Sequence, residues 1–432
     1  MSDEAETDGN RIATLSPKQE ARASAREALQ VARELAELLF VNGQTTRRTE
    51  STVRQLGVVF GFQIDVFQRW GELLVRLSDD VAVAESISNV AATNVDMSKV
   101  TSVMLLADDL TSGKLRPSAA RATLESIRRS PPVSVGRFVG MAAAGAVALG
   151  VIFGAAHWLS LVLIACSAGI GAGLRRAIPS ISHNPLFPPF MAALVAGVIG
   201  GMVAQLHLTS AQRLIAVCPC MILVPGPHLL NGALDLVRSN ITLGAARIVF
   251  ASLIILMICA GLLIGLAICG VSLPASGASV RVPLGYDVLA AGVAVAAYGT
   301  FFSMPWRMLP IPMVVGMLAH AARWGVVSGL GLSAAWGAFV ACFLVSAIMT
   351  PVADRLHLPF AGLAFASVVS LIPGVFLFHM AGGLVSLVSL GAATPPDIVQ
   401  TVMSDGATAT LIMMAMAIGL IVPKLSLEPR GR

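Results

Sequence analysis

From Val135 onward the sequence is a succession of apolar spans separated by short polar stretches, and no other feature narrows the possible folds so far. Ten spans can be counted, at about 138–155, 158–174, 187–206, 212–236, 247–270, 286–303, 306–321, 327–350, 358–391 and 406–422. A helix needs about 20 apolar residues to cross ~30 Å of hydrocarbon. In lipid every backbone polar group must also be satisfied internally, so each span is expected to be helical. With 56% of residues hydrophobic and only 12% charged, the chain lies outside the soluble range. The expected fold class is an α-helical polytopic membrane protein with about ten transmembrane helices.

Charges return to ordinary density before Val135. Residues 1–19 are polar and short of large apolar side chains, which predicts a disordered tail, and no secretory signal core is present there. Residues 20–135 read as a small α+β domain. Leu29, Ala32, Ala36 and Leu39 make one stripe of a helix over Glu20–Val41 that stops at Gly43. A helix follows at Thr49–Phe60, then two strands at Phe62–Phe67 and Glu72–Ser78 around a Trp70-Gly71 turn, then helices at Met97–Thr111 and Pro117–Arg128. This region holds no histidine, no cysteine and no Gly-x4-Gly-Lys-Ser/Thr phosphate loop. Ser/His or Cys/His nucleophile chemistry and ATP-driven transport are therefore not expected. Asp79-Asp80 and Asp108-Asp109 read as solvated charge rather than as metal ligands.

Arg128/Arg129, Arg175/Arg176, Arg238/Arg247, Arg307, Arg355 and Lys424/Arg430 fall on one side of the alternating spans, against Arg213, Arg281 and Arg323 on the other. The excess marks the cytoplasmic side. It places both termini and residues 20–135 in the cytoplasm and the protein in the cell (inner) membrane. The net charge of +5 belongs to these loops and implies no nucleic acid. All six cysteines lie in apolar spans and behave as small hydrophobes. No metal site or cofactor is expected.

The span at 212–236 is broken by Val224-Pro225-Gly226-Pro227. Proline removes a donor and clashes with the preceding turn, so two half-helices are expected, the second starting at Gly226. Leu214–Val224 is ~16 Å of helix, which puts the break near the bilayer centre. Shifting the chain by 148 residues superposes Trp158 on Trp306, Arg175 on Arg323, Pro225 on Pro373 and Gly226 on Gly374. This is an internal repeat, residues 136–270 against 284–425. Five spans per unit is an odd number, so the two five-helix repeats are expected to be inverted, with a substrate site between the matching breaks.

Half-helix amides at Gly226 and Gly374, behind Pro225 and Pro373, are expected to face a carboxylate. His228, Asn231 and His379 are the polar groups beside the breaks, Asn231 aligning with His379, and both are expected to point at one central region. Asp235 and His228 are the candidates for carrying a proton. Asp235 is one turn from Arg238, so a structural ion pair between them is an equal reading. His320, Asp287 and Asp405 sit at span ends and read as interfacial.

With residues 20–135, the Leu38-Leu-Phe-Val-Asn-Gly43 stretch, ten spans and Val224-Pro-Gly-Pro-His-Leu-Leu-Asn-Gly-Ala-Leu-Asp-Leu236 in view, the chain resembles the threonine/serine exporter family over about residues 20–425. The resemblance implies secondary export of a small-molecule substrate, threonine or serine, in antiport with protons across the lipid bilayer, and no enzymatic role. Split relatives are associated with succinate. A dicarboxylate would need more positive charge near the breaks than the sequence displays there. A membrane-anchored enzyme with a catalytic N-terminal domain is the reading from another class. A homo-oligomer is compatible with either.

Overall fold

The computed structural model describes residues 17–78, 83–209, 211–271, 282–356 and 358–428. The first sixteen residues of the expected tail and the Asp79-Asp80 pair lie outside them.

The N-terminal body comprises α1 (Pro17–Val41), α2 (Thr46–Phe60), β1 (Gln63–Arg69), β2 (Glu72–Ser78), β3 (Val83–Ser88), α3 (Met97–Thr111) and α4 (Pro117–Arg129). The strands form an antiparallel sheet in the order β1-β2-β3, with Ile64 opposite Leu77 and Val66 opposite Val75. Their alternation buries Ile64, Val66, Leu73, Val75 and Leu77 against Leu35 and Leu39 of α1 and Val100 and Val103 of α3. β3 is not among the strands expected from sequence because its two large apolar residues, Val83 and Ile87, are exposed (55% and 64%). It is held by backbone pairing and carries no buried apolar period. Gly43 ends α1 at φ +91°, where the Gln44 amide donates to the Leu39 carbonyl at 3.0 Å.

The remaining helices are α5 (Val135–Ile152), α6 (Trp158–Ala177), α7 (Phe187–Gln205), α8 (Gln212–Met221), α9 (Gly226–Val237), α10 (Ile241–Ile268), α11 (Leu284–Phe301), α12 (Pro310–Trp324), α13 (Ala334–Arg355), α14 (Phe360–Val368), α15 (Gly374–Leu390) and α16 (Pro396–Leu427). Among the described residues nine helices are long and apolar enough to cross a membrane, or ten if α8 and α9, bent by 54°, count as one span. The stretch expected as a single span at 358–391 is instead α14, a 3-10 turn at Val369–Leu371 and α15, and of these only α15, with the 3-10 turn that follows it to Ala393, has the length of a span. Pro373 after that turn ends the first piece, for the reason Pro225 does.

Five elements of the first unit recur in order in the second, each with its fourth element broken. Their packing recurs too. α7 runs along α10 as α13 runs along α16, and α5 against α6 as α11 against α12. The broken elements cross, α8 meeting α15 and α9 meeting α14. Close approach along α7–α10 rests on absent side chains. A Cβ on Gly197 would lie 2.4 Å from the Leu262 carbonyl oxygen, and one on Gly265 would lie 2.3 Å from that of Leu194.

The N-terminal body is seated on the bundle. The Met97 amide donates to the Phe302 carbonyl at the end of α11 (2.9 Å), Trp70 lies 5.1 Å from Phe250 of α10, and Arg47 pairs with Glu428 at 3.1 Å. Met97 fills the space over Gly362 of α14, and Phe40 packs with Leu243 of α10.

Candidate functional site

Both breaks are made by the same turn. Around Pro225 (φ −83°, ψ 58°) the Gly226 amide donates to the Val224 carbonyl at 2.9 Å, and around Pro373 (φ −75°, ψ 44°) the Gly374 amide donates to Ile372 at 2.8 Å. These are inverse γ-turns. The amides expected to face a carboxylate are therefore spent inside the turn. At α9 the next donors are spent as well, since Pro227 has no N–H and His228 and Leu229 both donate to the Pro225 carbonyl (3.2 and 3.3 Å). A break buried in protein has no water for its donors, so the chain folds back to satisfy them.

The two breaks interlock. The Phe365 ring of α14 covers Gly226, where a Cβ would come within 1.6 Å of it, and Met221 of α8 covers Gly374 at 2.9 Å. Tyr298 of α11 donates its hydroxyl to the Met221 carbonyl and so caps α8 from the other unit.

Beside the first break lies a cavity of about 320 Å³. Its walls include Pro225 and His228 from the break, Arg175 of α6, Pro188 and Pro189 of α7, Phe250 and Ile254 of α10, Phe301 and Phe302 at the end of α11, and Thr93 and Asn94 from the N-terminal body. The Arg175 guanidinium lies 4.4 Å over the Phe301 ring, and the His228 and Phe250 rings pack T-shaped with centroids 5.4 Å apart. By sequence Arg175 reads as a cation of the cytoplasmic rim, and the breaks as short of positive charge; the fold brings this cation to the break. The signal for it is the alignment of Arg175 with Arg323 in the repeat.

Asn231, on the next turn of α9, reaches the N-terminal body. Its amide donates to the Gly43 carbonyl of the N-terminal body at 3.0 Å, and its buried Oδ1 has no hydrogen-bond partner among the described residues. The Leu38–Gly43 stretch is thereby tied to the 224–236 segment. The Asn94 side-chain amide donates to Asn42 Oδ1 at 3.4 Å, and the Asp96 backbone amide to the Asn42 carbonyl at 3.1 Å. The loop that walls the cavity is thus fastened to the same stretch.

Asp235 pairs with Arg247 of α10 at 2.8 Å, both side chains 2% exposed or less, and Arg238 pairs with Glu428. The Asp235–Arg238 ion pair expected from spacing is replaced because α10 packs along α9 and delivers a guanidinium into the interface. His379 does not meet Asn231. It lies between Arg213 (3.4 Å from Nε2) and Asp405 (3.2 Å from Nδ1), on α8 and α16. The interfacial reading of His320 and Asp287 also gives way. His320 is fully buried, with Nδ1 3.0 Å from Asp287 Oδ2 and Nε2 2.6 Å from Ser370 Oγ. Among the described residues no cluster of three or more His, Cys, Asp or Glu side chains has the arrangement of a metal site.

Apolar helices of spanning length, with the fourth element of each unit broken and a cavity beside the first break, define a multi-pass membrane protein. Residues 30–269 match the family model ThrE and residues 287–426 match ThrE_2, described as Threonine/Serine exporter. The chain belongs to the threonine/serine exporter family, with both parts fused in one polypeptide. No solved structure matches it.

Proposed function

We propose that the protein is a secondary active exporter of threonine and serine, driven by the proton motive force, whose substrate occupies the cavity at the first break. The observation that carries this reading is the cavity itself. Its volume of about 320 Å³ is at the small end of the ~300–1,000 Å³ range of ligand pockets. It offers one guanidinium, Arg175, for one carboxylate. The ring of His228, which already bonds the Thr93 backbone, and the Asn94 side chain are the groups left to meet an amine and a hydroxyl. A second carboxylate, as in succinate, would lack a guanidinium of its own.

The odd count of five elements per unit supports an inverted arrangement, and the recurring break supports alternating access by one unit moving against the other. The cationic excess supports cytoplasmic termini, so the N-terminal body would cover the cytoplasmic mouth of the cavity. Pro225, Gly226, Pro373 and Gly374 act in this scheme as hinges more than as ligands. Asp235, neutralised by Arg247, and His379, held by Asp405, fit positioning roles better than free proton or substrate sites.

The test is binding of labelled threonine and serine to purified protein, with Arg175→Gln and His228→Gln as variants. Loss of threonine binding in Arg175→Gln with retained fold supports the site. Undiminished affinity in both variants moves the substrate elsewhere.

A further inference from the structure

We propose that Asp287, His320 and Ser370 form the proton-carrying site of this protein, with His320 Nε2 as the atom that takes up and releases the proton. The proposal rests on the reading above that transport is proton-driven, and it names the carrier.

The three side chains come from three separate elements: α11, α12 and the 3-10 turn before the second break. All are buried, His320 completely and Asp287 and Ser370 at 3% exposure. The imidazole is held at both nitrogens, 3.0 Å from Asp287 Oδ2 and 2.6 Å from Ser370 Oγ. The charged groups around it are few. Arg323, one turn along α12, interacts electrostatically with Asp287. α14 carries no titratable residue, and on α13 the charged residues are at its far end, where Asp354 pairs with Lys424 at 3.8 Å.

The order hydroxyl, imidazole, carboxylate is that of a hydrolase triad. Here the hydroxyl is sealed in protein, so no ester or peptide reaches it, and the proton is the species the arrangement can handle. With His320 neutral, Nδ1–H donates to Asp287 and Nε2 accepts from the Ser370 hydroxyl. When movement at the second break admits water to the site, a proton taken up at Nε2 makes Nε2–H the donor, and Ser370 becomes the acceptor and must turn its own hydrogen away. Asp287 stabilises the imidazolium. Proton uptake therefore reverses the polarity of the Ser370 bond without breaking any covalent bond of the protein's carbon framework.

That reversal is placed where it can move the transporter. Ser370 is three residues before Pro373, and five residues before it on the same segment Phe365 presses on Gly226 at the first break. Proton site and substrate cavity thus belong to different breaks, joined by one short apolar segment whose position both sense.

The experiment uses the full chain in proteoliposomes, comparing wild type with His320→Gln and Ser370→Ala in two modes. One is accumulation of labelled threonine under an imposed pH gradient, the other threonine counterflow at equal pH. The expected result is that wild type performs both, while the variants keep counterflow and lose the response to the gradient, with a shifted pH profile in Ser370→Ala. A gradient response equal to wild type in both variants overturns the assignment. So does loss of both modes in protein that remains monodisperse, because the triad is then structural. Should His320→Gln fail to fold, Ser370→Ala, which removes only a hydroxyl, decides by the same criteria. Wild type inactive in both modes refutes the export reading instead, and that result is visible without any variant.

Discussion

Substituting Gly226 by alanine tests the interlock of the two breaks. The added Cβ would stand 1.6, 1.8 and 2.0 Å from three atoms at the tip of the Phe365 ring. The nearest is roughly 1.8 Å short of ordinary contact, so the ring must retreat by that much or the backbone must open. Phe365 is 5% exposed and lies 6.4 Å from the Phe302 ring, so space behind it is taken. Forcing an extra carbon into such packing costs about 1–3 kcal/mol. At Gly374 the equivalent Cβ meets only Met221, 2.9 to 3.2 Å away, and a flexible thioether can yield those few tenths. Gly374→Ala is therefore expected to cost less than ~1 kcal/mol. The assay is thermal unfolding in detergent of Gly226→Ala, Gly374→Ala, Phe365→Ala and the pair Gly226→Ala/Phe365→Ala. Phe365→Ala should itself cost about 3–5 kcal/mol, and in that background the alanine at 226 should be nearly free, a coupling about equal to its cost alone. Equal effects at 226 and 374, or additivity with Phe365→Ala, would refute the interlock.

Three further outcomes follow from other contacts. Asp235→Asn strands Arg247 as a buried charge and should cost about 3–5 kcal/mol, whereas Asp235→Leu with Arg247→Met should recover most of it; thermal unfolding of the single and double variants checks this. Asn231→Leu removes the donor to Gly43 and should loosen the N-terminal body by about 1 kcal/mol, read as faster amide exchange in residues 38–43 and 93–96 with the helices unchanged. Burial holds the Glu50 carboxyl above the usual carboxylate range, against the opposing pull of Arg54. The folded state thus binds that proton more tightly than the unfolded chain, and this group's share of stability is present at low pH and lost as pH rises through the raised pKa. Glu50→Gln should raise the melting temperature at pH 7, and the gain should vanish below the ordinary glutamate value of about 4.3.

The apolar spans are legible in the sequence because lipid exposure leaves a one-dimensional signal, a run of about 20 apolar residues. The breaks are legible because proline and glycine act locally, and the helices of the N-terminal body from their periodicity and Gly43. What the sequence conceals depends on packing between elements distant in the chain. Arg247 reads as a loop cation until α10 is laid on α9. His320 and Asp287 read as span-end groups until α11, α12 and the turn at Ser370 converge. The expectation about the Gly226 and Gly374 amides fails for a different reason. Pro-Gly locates a break but does not say whether the freed donors face a ligand or close on the preceding carbonyl.

The central claim, that the fold moves a small amino acid against a proton gradient, is tested most directly by uptake of labelled threonine, serine and succinate into proteoliposomes of the purified full chain, with and without an imposed pH gradient. Gradient-dependent flux of threonine or serine, with succinate excluded, is the predicted result. Flux of succinate in preference to both, or none of the three moved by inserted and folded protein, would contradict it.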